Sequence, residues 1–305
     1  MISAENISKS FDAVRALDSV SLKVKRNELF GLIGPDGAGK STLFRILATL
    51  LIPDEGRARM MDLDTIKDYR KIRQHLGYMP GRFSLYPDLT VEENLSFYAS
   101  VFGTSIQQNY ELIEPIYKQL EPFRKRRAAQ LSGGMKQKLS LSCALIHRPE
   151  MLLLDEPTTG VDAVSRKEFW DLLAGIRQAG ITIMVSTPYM DEASLCDRVA
   201  LFQDGKILQI DSPKQIVAGY KNHLTAVRAS DKYKLLLNLR VRDDIISAYP
   251  FGDSVHISTT EKPDNTKLEK YLLNLSMENI SIKTITASIE DRFLELLHQK
   301  DTADD

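Results

Sequence analysis

Eight residues between positions 34 and 41 have the types and spacing that bind phosphate groups. They read Gly-Pro-Asp-Gly-Ala-Gly-Lys-Ser and fit the pattern GxxxxGK[ST], with Thr42 directly after them. Glycines let backbone N–H groups approach phosphate oxygens without an intervening Cβ, and a following helix presents its positive end to the anion. We therefore predict a nucleoside triphosphate site formed by Gly34, Asp36, Gly37, Ala38, Gly39, Lys40, Ser41 and Thr42.

Lysine, serine and two acidic residues supply the chemistry expected of such a site. Lys40 should reach the β- and γ-phosphates, and the Ser41 hydroxyl should bind Mg²⁺. Residues 151–154 form an apolar run that ends in Asp155 and Glu156. A carboxylate beside a phosphate loop can bind Mg²⁺, which suits Asp155, and Glu156 can polarise the attacking water. Glu156 and Lys40 are thus the predicted catalytic residues; a strand ending in a solvated acidic turn is the alternative.

The surrounding pattern predicts the elements that hold these residues. Residues 29–33 form a short apolar run that stops at Gly34, as a buried strand entering a glycine turn would. A helical pattern follows the loop, and residues 151–154 and 181–185 have the length and composition of further buried strands. Strands that alternate with helices favour an α/β fold with a mainly parallel sheet.

The pattern changes after about residue 219. Five segments then alternate as strand, helix, strand, helix and strand, and residues 289–297 add a last helix. We predict a nucleotide-binding domain at residues 1–220, with a helical subdomain at about residues 86–148, and a small α+β domain at residues 221–305.

Composition limits the class of protein. The 305 residues are 43% hydrophobic and 27% charged, with a net charge of −1, so a packed globular core is expected and nucleic acid is not an expected partner. The two cysteines, Cys143 and Cys196, form no CxxC pattern and fit a reducing compartment. No segment approaches the ~20 apolar residues of a membrane span, so a membrane role would require a partner.

Four motifs in a fixed order make the chain resemble ABC-type ATPases. They are GPDGAGKST at 34–42, LSGGMKQK at 131–138, LLLDEPTTGVD at 152–162 and STPYMDEA at 186–193. The resemblance covers roughly residues 1–220. It implies a P-loop NTPase fold with a mainly parallel core sheet, an antiparallel β subdomain and a helical subdomain, and ATP and Mg²⁺ as cofactors.

The resemblance assigns further roles by position. It implies that Ser132, Gly133 and Gly134 form a second anion site, which closes over the γ-phosphate bound by another ATP-binding subunit. Phe11 corresponds to the aromatic residue that stacks on adenine, with a core strand residue as the alternative. Asp162 corresponds to the loop that links the two sites of a dimer.

Within the family, the chain looks most like ATPases of the ABC-2 export type, including drug-efflux members. This implies a motor subunit that dimerises around ATP and drives ABC-2-type permease subunits from the cytoplasmic side of the bacterial inner membrane. The second ATP-binding subunit would form a heterodimer, or a homodimer as the alternative. A soluble ABC ATPase acting on ribosomes or DNA, and a non-hydrolysing ATP-gated regulator, are the competing functions.

Two positions depart from the family's pattern. Where members have a Gln that contacts Mg²⁺ and the attacking water, this chain has Gly81, and where they have a His that contacts the γ-phosphate it has Pro188. Losing one positioned group of this kind typically costs ~10²–10⁴ in rate, unless a neighbouring side chain compensates. We hypothesise a split design, in which the chain's own site turns over slowly while Ser132 and Gly134 complete a competent site on a different subunit.

Overall fold

The computed structural model describes residues 1–304, with side-chain surroundings for residues 1–299. The chain forms two compact units, Met1–Pro213 and Lys214–Asp305. The division after Pro213 precedes the boundary at 220 and 221 that the sequence suggested. The last residue of the proposed C-terminal domain, Asp305, lies outside the described residues.

The elements of the first unit follow one another in α/β order. Its strands are β1 (Ile2–Phe11), β2 (Val14–Val24), β3 (Leu29–Ile33), β4 (Glu55–Met60), β5 (Leu63–Asp64), β6 (Leu76–Met79), β7 (Met151–Asp155), β8 (Thr182–Thr187), β9 (Arg198–Gln203) and β10 (Lys206–Asp211). Its helices are α1 (Lys40–Leu47), α2 (Tyr69–His75), α3 (Val91–Val101), α4 (Tyr110–Leu120), α5 (Gly133–Leu145) and α6 (Ala163–Gln178), and α7 (Pro213–Ala218) begins at the boundary.

The core of the first unit is a six-stranded sheet of order β10-β9-β3-β8-β7-β6. Every neighbouring pair in it is parallel except β10 and β9, and every residue of β3, β7 and β8 is buried, as expected of parallel strands covered on both faces. A separate antiparallel sheet has the order β2-β1-β4-β5. The predicted parallel core and antiparallel subdomain are confirmed.

Three helices, α3 to α5, lie between β6 and β7 in the region predicted to be helical. Thr90 and Glu93 form a reciprocal capping box at the start of α3, and Asn94 is fully buried and bonds to three backbone carbonyls of the preceding loop. Within residues 1–304, none of the helices combines the length and apolar character that crossing a bilayer requires.

The second unit is a four-stranded antiparallel sheet with helices. Its strands are β11 (His223–Arg228), β12 (Ser247–Phe251), β13 (Ser254–Thr259) and β14 (Ser281–Thr284), and its helices are α8 (Lys232–Arg240), α9 (Asn265–Asn274) and α10 (Ile289–Asp304). The sheet order β12-β13-β11-β14 and the βαββαβ succession make this core ferredoxin-like. The sequence pattern missed β12, since this strand contains Pro250; a proline is tolerated there because β12 is an edge strand.

Candidate nucleotide-binding site

The loop between β3 and α1 is shaped by close backbone packing. Gly37 and Gly39 have φ values of 80° and 104°, in the left-handed region that favours glycine. A Cβ on Gly34 would lie 2.0 Å from the carbonyl oxygen of Phe202, and one on Gly39 would lie 2.3 Å from that of Ala16. The strands β9 and β2 therefore hold the loop in place. The N–H of Thr42 donates to the carbonyl oxygen of Gly39 at 3.1 Å, whereas the first N–H groups of a helix generally lack intrahelical acceptors and can face a ligand.

The Lys40 side chain is only 2% exposed, and its ammonium group lies inside the loop. Nζ donates to the carbonyl oxygens of Gly34 at 2.8 Å and Pro35 at 2.9 Å, and it lies 3.1 Å from Oε1 of Glu156. A buried ammonium group requires such partners. These contacts keep a positive charge at the position where a bound phosphate would be neutralised.

Asp155 and Glu156 are positioned by the pairing of β7 with β8. The hydroxyl of Ser186 donates to Oδ1 of Asp155 at 2.7 Å, and Asp155 is buried. Glu156 has a φ of 49°, and its N–H donates to the carbonyl and hydroxyl oxygens of Ser186 at 3.1 and 2.9 Å. A left-handed conformation is strained for a glutamate, and strain of this kind clusters at functional sites. Here it accompanies the contact between the Glu156 carboxylate and Lys40.

An open cavity of about 350 Å³ lies in front of the loop, within the size range of small-molecule sites. Its lining brings together the predicted residues Gly37, Gly39, Lys40, Ser41, Thr42 and Glu156. It also contains residues that the sequence analysis missed, namely Val14, Arg15, Ala16, Asp204 and Gly205. No motif marks these residues, because β2 and the turn between β9 and β10 reach the loop only through the fold.

Phe11 and Asp155 belong to the predicted site but do not line this cavity. Phe11 ends β1, is 44% exposed and pairs with Val14, which does line it. The ammonium of Lys9 lies 5.8 Å from the centre of the Phe11 ring. The contact between Phe11 and adenine stays a prediction.

The LSGG segment lies at the start of α5 and does not line the cavity. Ser132 caps α5 by accepting the N–H of Met135 at 3.3 Å, and Ser132 and Gly133 are both exposed. A Cβ on Gly134 would lie 2.7 Å from the hydroxyl oxygen of Ser165 at the beginning of α6, which explains the glycine at that position. The exposed helix N-terminus is thus available to a ligand held elsewhere.

Asp162 caps the neighbouring helix α6. Its carboxylate accepts the N–H groups of Ser165 at 3.0 Å and Val164 at 3.1 Å. These hydrogen bonds, led by that of Ser165, lower the pKa of the Asp162 carboxyl below its ordinary value. The residue was predicted for the loop between two nucleotide sites, and its carboxylate organises the start of α6.

Both departures from the family pattern lie at the carboxyl edge of the parallel sheet. A Cβ on Gly81, which comes shortly after β6, would lie 3.2 Å from the backbone oxygen of Asp155 and 3.8 Å from its Oδ2. Pro188 directly follows β8, whose last residue, Thr187, accepts the N–H of Gly34 at 3.3 Å. The fold therefore places residue 81 beside a predicted Mg²⁺ ligand and residue 188 beside the phosphate loop.

Comparison with known proteins decides the family. Residues 17–159 match the family model for the ABC transporter. The chain is 36% identical over 219 residues to the Nod factor export ATP-binding protein I of Burkholderia lata, an alignment that covers 71% of this chain and 72% of that protein. The chain belongs to the ABC transporter ATP-binding family. The predicted resemblance is confirmed, and the chain is an ATP-binding protein of this family.

Other ABC relatives agree. The chain is 42% identical over 224 residues to the probable multidrug ABC transporter ATP-binding protein YbhF of Escherichia coli, over 73% of this chain but only 39% of that protein. The chain therefore spans about two fifths of that relative's length. The dimeric post-hydrolysis structure of the ATP-binding cassette MJ0796 with ADP and Pi superimposes with a TM-score of 0.63, at 27% identity, over 70% of this chain and 98% of the cassette.

Proposed function

We propose that this ABC subunit binds Mg-ATP and hydrolyses it to drive a membrane exporter. The observation that carries the proposal is the distance of 3.1 Å between Lys40 Nζ and Glu156 Oε1 at the mouth of the glycine loop. A phosphate-neutralising cation and a candidate general base thereby meet at one edge of the sheet. The export role is supported by relatives whose names specify Nod factor export and multidrug transport.

The residues at this edge fit a magnesium ion. Mg²⁺ prefers oxygen ligands, and the Ser41 hydroxyl and the Asp155 carboxylate provide them. Among residues 1–299, whose side-chain surroundings the structure describes, no group of three or more His, Cys, Asp or Glu side chains could hold a metal. Phosphate oxygens would complete the coordination of the ion. When bound, the ion neutralises charge that develops on the phosphates. Lys40 contributes the same neutralisation from the protein, and Glu156 orients and polarises the water.

ATP would also join two subunits. The exposed N-terminus of α5, with Ser132, Gly133 and Gly134, would close over the γ-phosphate held by a second ATP-binding subunit. The dimeric state of the MJ0796 cassette supports this arrangement. Closure on ATP and separation after hydrolysis would provide the mechanical step.

Gly81 and Pro188 favour a split design. Neither residue can offer a polar side chain to Mg²⁺, water or the γ-phosphate, although the residues that bind ATP are intact. The chain's own site would therefore hold ATP and turn it over slowly, while the LSGG segment serves hydrolysis on a different subunit. A heterodimer follows from this division of roles.

A groove in the first unit suits the permease subunits. Its cavity of about 270 Å³ includes Tyr78, Met79, Leu85, Tyr98, Phe102 and His147. Beside it, Phe83 and Tyr86 are 40% and 47% exposed, and the Tyr86 ring packs edge-on against Phe97 with centroids 4.8 Å apart. The segment is thus packed on its own subdomain, yet the exposed parts of these two aromatic side chains would contact a cytoplasmic helix of an ABC-2-type permease. Through this contact the chain would be held peripherally at the cytoplasmic face of the bacterial inner membrane.

The test separates binding from hydrolysis in the purified chain. Lys40→Ala should weaken ATP binding by about 10²-fold or more, because it removes the buried charge that faces the phosphates. Glu156→Gln should retain ATP affinity and lose turnover. Lys118→Ala is the matched control, since this exposed lysine on α4 pairs with Glu114, is not part of the predicted site, and should leave affinity unchanged when replaced.

Three results would contradict different parts of the proposal. Native ATP affinity in Lys40→Ala would refute the assigned site. Brisk turnover by the purified chain alone, dependent on Glu156, would refute the split design while leaving the site intact. Recovery of a polytopic membrane protein with the chain from detergent extracts would support the permease contact, and recovery of ribosomes or DNA would refute it.

A further inference from the structure

The buried carboxylate of Glu192 lies outside the cavity and connects the loop after β7 with the loop after β8. Glu192 lies in the short 3₁₀ segment Met190–Leu195 after β8 and is only 2% exposed. Its Oε1 accepts the hydroxyl of Thr158 at 2.9 Å, and its Oε2 accepts the hydroxyl of Thr187. Thr158 and Thr187 are themselves 1% and 0% exposed. A single side chain therefore bridges segments 29 residues apart in sequence.

Each threonine lies next to a residue of the site. Thr158 follows Glu156 by two residues. Thr187 directly precedes Pro188, and its backbone oxygen accepts the N–H of Gly34, the first residue of the phosphate loop. A shift of either threonine would therefore move the candidate general base or the start of the phosphate loop.

The charge of the bridge is balanced by Arg166 on α6. Its Nε lies 3.7 Å from Oε1 of Glu192, its Nη2 lies 3.5 Å from Oδ2 of Asp191, and its guanidinium lies 4.7 Å from the centre of the Tyr189 ring. A buried carboxylate is tolerated only with such compensation, and truncating it removes the acceptor of two buried hydroxyl groups and one of the two carboxylates beside Arg166. The hydroxyl of Thr187 also accepts the N–H of Tyr189 at 3.1 Å, so the bridge brackets residue 188 on both sides.

We propose that Glu192 is a positioning residue for ATP hydrolysis, holding the loop that carries Glu156 and the loop that contains Pro188 at a fixed separation. The inference rests on the proposed hydrolysis. Because Pro188 has no polar side chain, residue 188 can act on the site only through its backbone, and the Glu192 bridge sets the position of that backbone. A misplacement of about 1 Å at a reacting centre can lower a rate by about 10²-fold.

The test compares Glu192→Ala and Glu192→Gln with Asp191→Asn in the full chain. Asp191 is the matched control, because it lies in the same segment and also faces Arg166, but its side chain is 70% exposed and bonds to neither threonine. Hydrogen exchange is followed in peptides covering residues 157–161 and 187–190, and ATP affinity and the single-turnover rate are measured in parallel. Glu192→Ala should raise exchange about tenfold in both segments and lower the rate about 10²-fold at unchanged ATP affinity.

The other variants resolve the role of the bridge. Glu192→Gln keeps one acceptor oxygen and should lie between Glu192→Ala and the native chain, while Asp191→Asn should change neither measurement. Thr158→Val removes the hydroxyl group that donates to Glu192 at nearly constant side-chain shape, and it should raise exchange in residues 157–161 alone. This variant tests the bridge even if Glu192→Ala does not fold.

If either segment exchanges at the native rate in both folded Glu192 variants, the bridge is overturned. If exchange rises in both segments but the single-turnover rate stays native, the positioning role of Glu192 is overturned. A native chain with no turnover above that of Lys40→Ala would instead refute the hydrolysis that Glu192 is proposed to serve.

Discussion

Restoring the two side chains that the family places at the edge of the sheet should raise ATP turnover. Gly81 does not have a left-handed backbone, so position 81 accepts a side chain without backbone strain. A Cβ there would lie 3.2 Å from the Asp155 backbone oxygen, and a shift of a few tenths of an ångström would relieve the contact, at a cost of about 1 kcal/mol. Pro188 has a backbone φ that histidine also adopts readily.

The expected lowering of the activation free energy is larger than this steric cost of about 1 kcal/mol. One polar group positioned on the water or on the γ-phosphate is worth about 10² in rate, or about 2.7 kcal/mol of activation free energy. The double variant Gly81→Gln/Pro188→His should therefore release phosphate at least about 10²-fold faster than the native chain at saturating Mg-ATP. Adding Glu156→Gln to it should abolish the gain, because the restored groups act on the water that Glu156 polarises.

Two comparisons make the measurement decisive. Gly81→Ala introduces the Cβ without the amide and should leave turnover at the native level, which isolates the polar group from the steric change. A folded double variant that binds ATP with native affinity and releases phosphate no faster than the native chain would refute the reasoning. In that case Gly81 and Pro188 would not be what limits the site.

Three further predictions concern stability and follow from local geometry. Gly39 has a φ of 104°, and a Cβ there would lie 2.3 Å from the Ala16 backbone oxygen, so Gly39→Ala should lower the free energy of unfolding by about 1–3 kcal/mol. Gly175 on α6 has open space around its Cβ position, so Gly175→Ala should raise the free energy of unfolding by about 0.5–1 kcal/mol. Urea midpoints equal to that of the native chain would contradict both expected changes. Asp162→Ala should cost about 1 kcal/mol by removing the N-cap of α6, and an unchanged thermal midpoint would count against that role. Burial lowers the pKa of His147 from 6.5 to about 4. Between these pH values the unfolded chain binds more protons than the folded chain, so the free energy of unfolding falls as the pH falls. The urea midpoint should therefore drop more from pH 7 to pH 5 in the native chain than in His147→Gln, and equal drops in the two would refute this prediction.

The candidate ATP-binding residues could be predicted from the sequence because their chemistry depends on short-range spacing. Residues 34–42 form one continuous segment of loop and first helical turn, and Asp155 and Glu156 are consecutive residues at the end of one strand, so each group is complete within a few positions. The parallel sheet was also predictable, because β3, β7 and β8 are buried on both faces and read as short, mainly apolar segments.

The rest depended on contacts between distant segments. That Gly34 must be glycine follows from the backbone of Phe202 on β9, and the left-handed Glu156 follows from its pairing with Ser186 on β8. Glu192 lies within the STPYMDEA motif, but the sequence assigned it no role, since a glutamate in a polar segment resembles any solvated residue until the fold buries it.

The sequence by itself thus predicted a phosphate-binding loop and its residues, determined which family the chain resembles, and showed Gly81 and Pro188 at the positions where that resemblance implies a Gln and a His. Only the tertiary structure decided that residue 81 lies beside Asp155 and that residue 188 lies beside the loop at Gly34. It also decided that Glu192 joins the loop after Glu156 to the loop that contains residue 188. The physical reason is that spacing along the chain encodes local conformation, whereas the parallel sheet aligns the ends of strands that lie far apart in sequence.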